Sequence, residues 1–423
     1  MTRPPYTETT DSQVNALTHT LAALHFDTPK AEARVEVGRV GRELCLYPGK
    51  LGYELQDELD FLSNRAMEPN IFFSGRFLAP AMPRLEDRQV RLALMRDNNG
   101  TRSRMRLLMP FTVDKPGFAI GPSIIRVWSN SFGPLGTPLV DAEDAGETLD
   151  NLFEGLANHD LRLPTALVLP DVRLNGRFAQ MAKVVAIGRN LPITVANTFQ
   201  RPMLHSNEDA IAYLKRTISN AHLREMRRQW RLLETQGDVA YNVARQPRDI
   251  HLRMEEYLTL EASGWKGKKR SALVTDRHHA AFAREAISNL AAVDAVRIHT
   301  IDFNGKAIAS MIVLIMGGEA YTWKTAYDEA YARYSPGKLL MGELTEWHLD
   351  DANVVRSDSC AVADHPIMSR FWHEREDMGT LIIGLTQNGD RDVRQIAAQL
   401  HMYRSTRNMA KLLREKILSL TKR

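Results

Sequence analysis

The chain has 423 residues, 44% of them hydrophobic, more than one ordinary core holds, and this points to two domains. With 55 basic against 51 acidic residues the formal charge is +4, too near balance to demand a nucleic-acid partner. Only two cysteines occur, Cys45 and Cys360, no apolar run reaches the about 18 residues of a membrane span, and the first residues lack a leader pattern, so a reducing cytoplasm is expected.

Residues 1–34 mix Thr, Asp and Pro and read as a loose arm. A strand over 35–47 and a helix over 51–67 follow. Strands at 90–96 and 104–111 flank Asp97-Asn98-Asn99-Gly100, a hairpin signal because Asn-Gly tolerates positive φ. Next come a strand at 118–128, a helix at 147–158, a strand at 165–171, a helix at 176–189 and a strand at 192–199. One long helix over 208–235, bearing Arg224, Arg227, Arg228 and Arg231, joins the halves. The second half runs through helices at 247–264 and 277–293, strands at 296–303 and 306–316, an aromatic strand, a helix from Lys338, a strand at 354–360, a short helix at 367–373 and a strand at 381–385. The order of elements repeats, which predicts two copies of one α/β module, at 35–205 and 206–390. An amphipathic helix with Met409, Leu412, Leu413, Ile417 and Leu420 on one face closes the chain over 391–423. It is expected to dock on its own domain, with peripheral membrane contact as the alternative.

The aromatic strand carries the strongest signal. Alternation puts Tyr321, Trp323, Thr325 and Tyr327 on one face, and Lys324 and Asp328 on the other. Ser335-Pro336-Gly337 turns the chain into a helix with Leu339, Leu340, Leu344 and Trp347 on its apolar stripe. A strand, a glycine turn and a helix N-terminus make an anion site, and Gly337 lets a phosphate approach the backbone. Metal is not expected: the 13 histidines are scattered, and His278 and His279 are adjacent.

Leu260-Glu261-Ala262-Ser263-Gly264-Trp265-Lys266-Gly267, Gly305-Lys306-Ala307-Ile308-Ala309, and Trp323-Lys324 through Gly337-Lys338-Leu339-Leu340 resemble double-domain GNAT-superfamily acyltransferases of the cellulose-biosynthesis (CelD/BioF-like) type. Asp358-Ser359-Cys360-Ala361 with Asp364-His365-Pro366 is similar to one branch of that family. The resemblance covers roughly 215–385 and implies tandem GNAT-like modules, each a mixed, mostly antiparallel sheet flanked by helices. It implies acetyl-CoA or another acyl-CoA as co-substrate, held at Arg333, Ser335, Gly337, Lys338 and Leu339, and a small or saccharide acceptor, with a link to cellulose or exopolysaccharide production. Arg333 and Gly337 stand four apart where the family has three, and Leu339 replaces a small residue. The departure admits a Fem-like transferase taking aminoacyl-tRNA, or a non-catalytic GNAT-fold partner, as alternatives.

Acyl transfer needs a neutral nucleophile, a base and oxyanion stabilisation. Asp328 is the first candidate base, with Lys324 polarising the carbonyl; a structural ion pair between the two is the equal alternative. Tyr327 can protonate the leaving thiolate or pack in the core. His365 beside Asp364 is the second candidate base, unless that segment only shapes a turn. Cys360 can be a nucleophile, but a lone apolar-strand cysteine more often packs. Trp265 and Lys266 read as an acceptor-binding loop, with Trp323 beside them.

Overall fold

The computed structural model describes residues 30–85, 89–98, 103–117 and 121–420, without the side chains of 408 and 410–420. The predicted arm therefore lies mostly outside the described residues, as do 99–102 of the hairpin turn and the apolar face expected beyond Met409.

Apolar alternation builds the first meander: β1 (Ala33–Glu36), β2 (Arg42–Pro48), β3 (Arg91–Asn98) and β4 (Ser103–Asp114) pair antiparallel in sequence order. β5 (Ile124–Val127) continues it, and the short β6 (Leu139–Val140) pairs with β4. β7 (Ala166–Arg173) runs parallel to β5. In the second half β9 (Val239–Ala244), β10 (Val296–Phe303), β11 (Lys306–Met316) and β12 (Glu319–Tyr327) repeat the meander, and β13 (Arg356–Asp358) runs parallel to β12. β8 (Ile193–Leu204) and β14 (Glu374–Gly384) close the two halves.

The modules do not keep separate sheets. β14 lies between β7 and β8, and β8 in turn lies between β14 and β13, so each half's last strand is inserted into the other's. The result is one 14-stranded, mostly antiparallel sheet flanked by helices.

The helices are α1 (Gln56–Ser63), α2 (Gly75–Leu85), α3 (Ala145–Ala157), α4 (Arg177–Gly188), α5 (Ala210–Thr217), α6 (Asn220–Glu234), α7 (Pro247–Ser263), α8 (Trp265–Lys268), α9 (Arg277–Ala291), α10 (Pro336–Asp350), α11 (Met368–Phe371) and α12 (Asp390–Leu420). The expected single helix over 208–235 is two. Ser219 breaks it by capping α6, its hydroxyl accepting from the His222 N–H. α12 docks Val393, Ile396 and Leu400 on Ile382 and Val168 of the sheet. No helix among the described residues is long and apolar enough to cross a membrane.

Candidate active site

The site grows from an irregularity in β12. Ile312 faces Lys324 and Val313 faces Thr322, so Trp323 is an extra residue on the β12 side. The bulge breaks the expected alternation: Tyr321 and Trp323 keep to the central core, and after them Ala326, not Thr325 or Tyr327, points that way. Trp323, expected to meet an acceptor, is instead 7% exposed, with its ring edge-on to Phe77 and Phe282 and its indole N–H donated to the Phe132 carbonyl at 2.7 Å. It supplies core, not a contact surface. β12 and β13 pair only as far as Tyr321 and Asp358 and then part, which opens the sheet between them.

Beyond the bulge, Thr325, Ala326 and Tyr327 form one wall of a pocket of about 200 Å³. Gly264, Trp265 and Lys266 form another, and Gly337, Met341, His365 and Met368 complete it. Five of the sequence-derived candidates thus converge: Tyr327, His365, Gly337, Trp265 and Lys266. Tyr327 is half-exposed there, and Trp265 is 44% exposed with the Lys269 ammonium 5.0 Å from its ring.

The helix start beside the pocket is open to an anion. Ser335, at φ +51°, caps α10 through its carbonyl, which accepts from the N–H of Lys338 (2.8 Å) and Leu339 (3.2 Å). Pro336 has no N–H, and among the described residues no backbone acceptor takes the Gly337 N–H. A Cβ on Gly337 would meet only Tyr327 Cδ1, at 3.8 Å, so the space above this amide is open. Lys338 is half-buried at the helix start. Leu339, expected to touch the cofactor, is instead a core residue under α10, because the apolar stripe of the helix includes it. Arg333 is exposed, stacked on Tyr334 at 4.6 Å and donating to Gln236 at 3.3 Å.

Asp328 does not share a strand face with Lys324. It lies past the end of β12 and caps the 3-10 turn Glu329–Tyr334, its carboxylate accepting from the Ala330 N–H at 2.9 Å. Among the described residues it makes no ion pair, and it does not line the pocket. His365 lines the pocket, but Asp364 does not make it more basic: its Nδ1 accepts from the Met368 N–H at 3.2 Å, and burial pulls the imidazole below its ordinary value. The Cys360 thiol is pushed well up by burial and by Asp358, which removes the thiolate a covalent route needs.

Lys324 precedes the lining residue Thr325 without itself lining the pocket, and its side chain turns to the other half of the molecule. Its Nζ donates to the Ser131 carbonyl at 3.3 Å and lies 4.3 Å from the Phe132 ring centre. Burial, and then the charge of Lys266, pull the amine down to about 8, with Glu261 and Cys360 opposing. Glu261 had drawn no role from the sequence. It is 4% exposed, lines the pocket, and accepts from Lys266 Nζ (2.8 Å), Tyr257 Oη (3.0 Å) and the Leu273 N–H (2.8 Å). Lys266 Nζ also reaches the Thr325 carbonyl at 2.8 Å, which ties α8 to the pocket end of β12. The i,i+4 spacing of Tyr257 and Glu261 and the nearby Lys266 were the available signal.

Residues 220–355 match the family model described as an acetyltransferase (GNAT) domain. The matched stretch, less than half of the chain, is similar to GNAT-type acetyltransferase domains. It contains β9 to β12, the open start of α10 and the loop of Trp265 and Lys266. No curated protein matches the chain. Among solved structures, FemX is 7% identical over 86% of this chain and 99% of its own, with a TM-score of 0.51. A conserved protein of unknown function from Bacteroides thetaiotaomicron is 11% identical over 80% and 99%, with a TM-score of 0.50. L-PGS from Bacillus licheniformis is 11% identical over 86% and 99%, with a TM-score of 0.48. At these identities the likeness is one of fold.

Proposed function

We propose that the chain is an acyl-CoA-dependent acyltransferase with acetyl-CoA as donor, its second module catalytic and its first shaping the acceptor side. The observation that carries this reading is the pocket bounded by the open Gly337 amide and the parting of β12 from β13. The pyrophosphate of CoA would lie on the first turn of α10, and the thioester arm would enter past Tyr327 and His365. Lys324 is the base in this reading, because its lowered affinity for a proton makes the neutral amine accessible near neutral pH. The acceptor amine or hydroxyl gives its proton to Lys324 and attacks the thioester carbon. A new C–N or C–O bond forms, the C–S bond breaks, the thiolate takes a proton from Tyr327, and Tyr327 regains one from the Lys324 ammonium through solvent. The products are the acylated acceptor and CoA. A saccharide acceptor in cellulose or exopolysaccharide production, in the cytoplasm, is the finer expectation that the family resemblance adds.

Calorimetric titration with acetyl-CoA and with uncharged tRNA, on the wild type and on Gly337→Glu, tests the reading. Binding of acetyl-CoA that Gly337→Glu abolishes is the expected result. Binding of tRNA without CoA would replace the donor with an aminoacyl-tRNA, and binding of neither would leave a non-catalytic partner protein.

A further inference from the structure

A second cavity, of about 700 Å³, lies where the two halves meet. The loop after β5, the middle of β7 and β8, the segment following β13 and the outer part of α12 wall it. Arg126, Arg201, Arg404 and Arg407 line it, against one lining carboxylate, Asp171, which accepts from the Ser129 hydroxyl at 2.8 Å.

These guanidiniums are unequally satisfied. Arg126 pairs with Asp114 at 3.1 Å. Arg201 is 2% exposed and shares Asp358 with Arg173, and its Nε has no hydrogen-bond partner. Among the described residues Arg404 and Arg407 form no ion pair; Arg404 donates to the Asn197 carbonyl. Arg201 and Arg404 both stack on Phe199, at 5.6 and 5.3 Å from the ring centre. Like charges gathered round one partly desolvated cleft repel, and an anion there offsets that repulsion. Planar guanidiniums held by ring stacking present their N–H groups in the geometry that phosphate and carboxylate accept.

The cleft also runs beside Lys324, the base of the proposed reaction. Ser131 and Cys360 line it, and the Ser131 carbonyl accepts from Lys324 Nζ at 3.3 Å. Lys266 and Glu261, which line the donor pocket, act on the same amine. We propose that this inter-module cleft is the acceptor site and that the acceptor is a small, soluble molecule bearing phosphate or carboxylate. Its anionic group rests on Arg201, Arg404 and Arg407, and its amine or hydroxyl points to Lys324. The word acceptor rests on the acyltransferase reading, whereas the anion site does not. The cleft replaces the side of Trp265 and Trp323 as the approach of the acceptor.

The test is calorimetric titration of the full chain with inorganic pyrophosphate, in saturating CoA so that the start of α10 is filled. Pyrophosphate should bind the wild type, and should bind Gly337→Glu without CoA just as well. Arg404→Gln/Arg407→Gln should weaken it at least about tenfold, Arg407→Gln alone about threefold, and added salt should weaken it in the wild type. No binding in the presence of CoA, or binding indifferent to the double substitution, overturns the site. Co-sedimentation with phosphatidylglycerol vesicles that the double substitution abolishes overturns the assignment to a soluble molecule. A CoA titration on the same preparations separates the two readings. Pyrophosphate binding without CoA binding leaves the anion site and removes the acyl donor, and the reverse removes only the site.

Discussion

The amine of Lys324, on the second module, lies 4.3 Å from the ring centre of Phe132, on the first. One half of the chain therefore supplies the surroundings that make a lysine of the other half less basic, since burial is the larger cause of its shift. With Lys324 as base, the rate should rise with pH through about 8 and then level off. Lys324→Met should lose about 10²–10⁴-fold in kcat. Lys324→Arg, which cannot deprotonate, should lose as much. The folded amine binds fewer protons than the unfolded one between about 8 and about 10.4, so this group's contribution to stability rises with pH across that window and is least favourable below it. Lys324→Met should therefore raise Tm at pH 7. A pH–rate profile with no limb near 8, beside a melting curve unchanged by the substitution, would remove Lys324 from the mechanism.

Two glycines near the pocket should behave in opposite ways. A Cβ on Gly267 would stand 1.8 Å from the Ala262 carbonyl oxygen, whereas one on Gly337 meets nothing closer than 3.8 Å. Gly267→Ala must push α8 off the end of α7 and carry Trp265 and Lys266 away from the pocket. It should lower Tm and weaken acyl-CoA binding together. Gly337→Ala should leave Tm unchanged and weaken acyl-CoA binding alone, because the methyl group fills space meant for the ligand. Parallel thermal melts and titrations of the two variants would show whether the effects part in this way.

The turn at Ser335-Pro336-Gly337 and the run from Gly264 to Lys266 were legible because local chemistry decides them: proline starts a helix, and glycine permits close approach. The bulge at Trp323 was not, because one extra residue leaves the strand as apolar as before and only the partner strand reveals the slip. This is why Trp323 looked like a face-mate of Tyr327; Asp328 left the face of Lys324 for another reason, the end of β12 at Tyr327. α2 was also hidden, since Pro80 and Pro83 lie inside it and read as a loop. The insertion of β14 beside β7 is a long-range pairing that no local pattern carries. The arginine cleft has the same origin, its side chains coming from β5, β8 and α12.

Two buried histidines should make the fold sensitive to acid. His299, on β10, accepts or donates at Tyr241 Oη (2.7 Å), and His348, on α10, does so at Ser357 Oγ (2.7 Å). Their rings are 5.8 Å apart, and Arg297 and Trp347 lie close by. Burial lowers both, His348 to about 3 and His299 well below its ordinary value. An unfolded histidine titrates near 6.5, so the stability these neutral rings carry is complete above about pH 6.5 and is lost as pH falls below it. Each histidine should cost up to about 1.4 kcal/mol per pH unit within that window. Urea denaturation at pH 7.0 and 5.5 should show the slope, and His348→Gln should flatten it by one proton. An identical slope in the variant would assign the acid sensitivity to carboxylates elsewhere.

A buried ion network joins the two modules across the exchanged strands. Arg173, on β7, bonds Glu319 of β12 and lies 3.2 Å from Asp358 of β13. Arg201, on β8, reaches the same aspartate at 3.3 Å, and Arg356 holds Glu319 at 2.9 Å. Burial pushes the Glu319 carboxyl up despite Arg173 and Arg356, whereas Arg201 and Arg173 hold Asp358 below its ordinary value against burial. Glu319 therefore depends most on Arg173. Arg173→Met should cost about 3–5 kcal/mol, because it leaves the buried Glu319 carboxylate with Arg356 in place of two arginines. Arg173→Met/Glu319→Leu should recover more than half of that, since the under-compensated charge goes with its partner, while Asp358 keeps Arg201 and the Cys360 N–H. Urea titrations of the three proteins decide between this account and a network that is attractive throughout. In the attractive case the double variant is no more stable than the single one, and the join between the modules depends on the charges themselves.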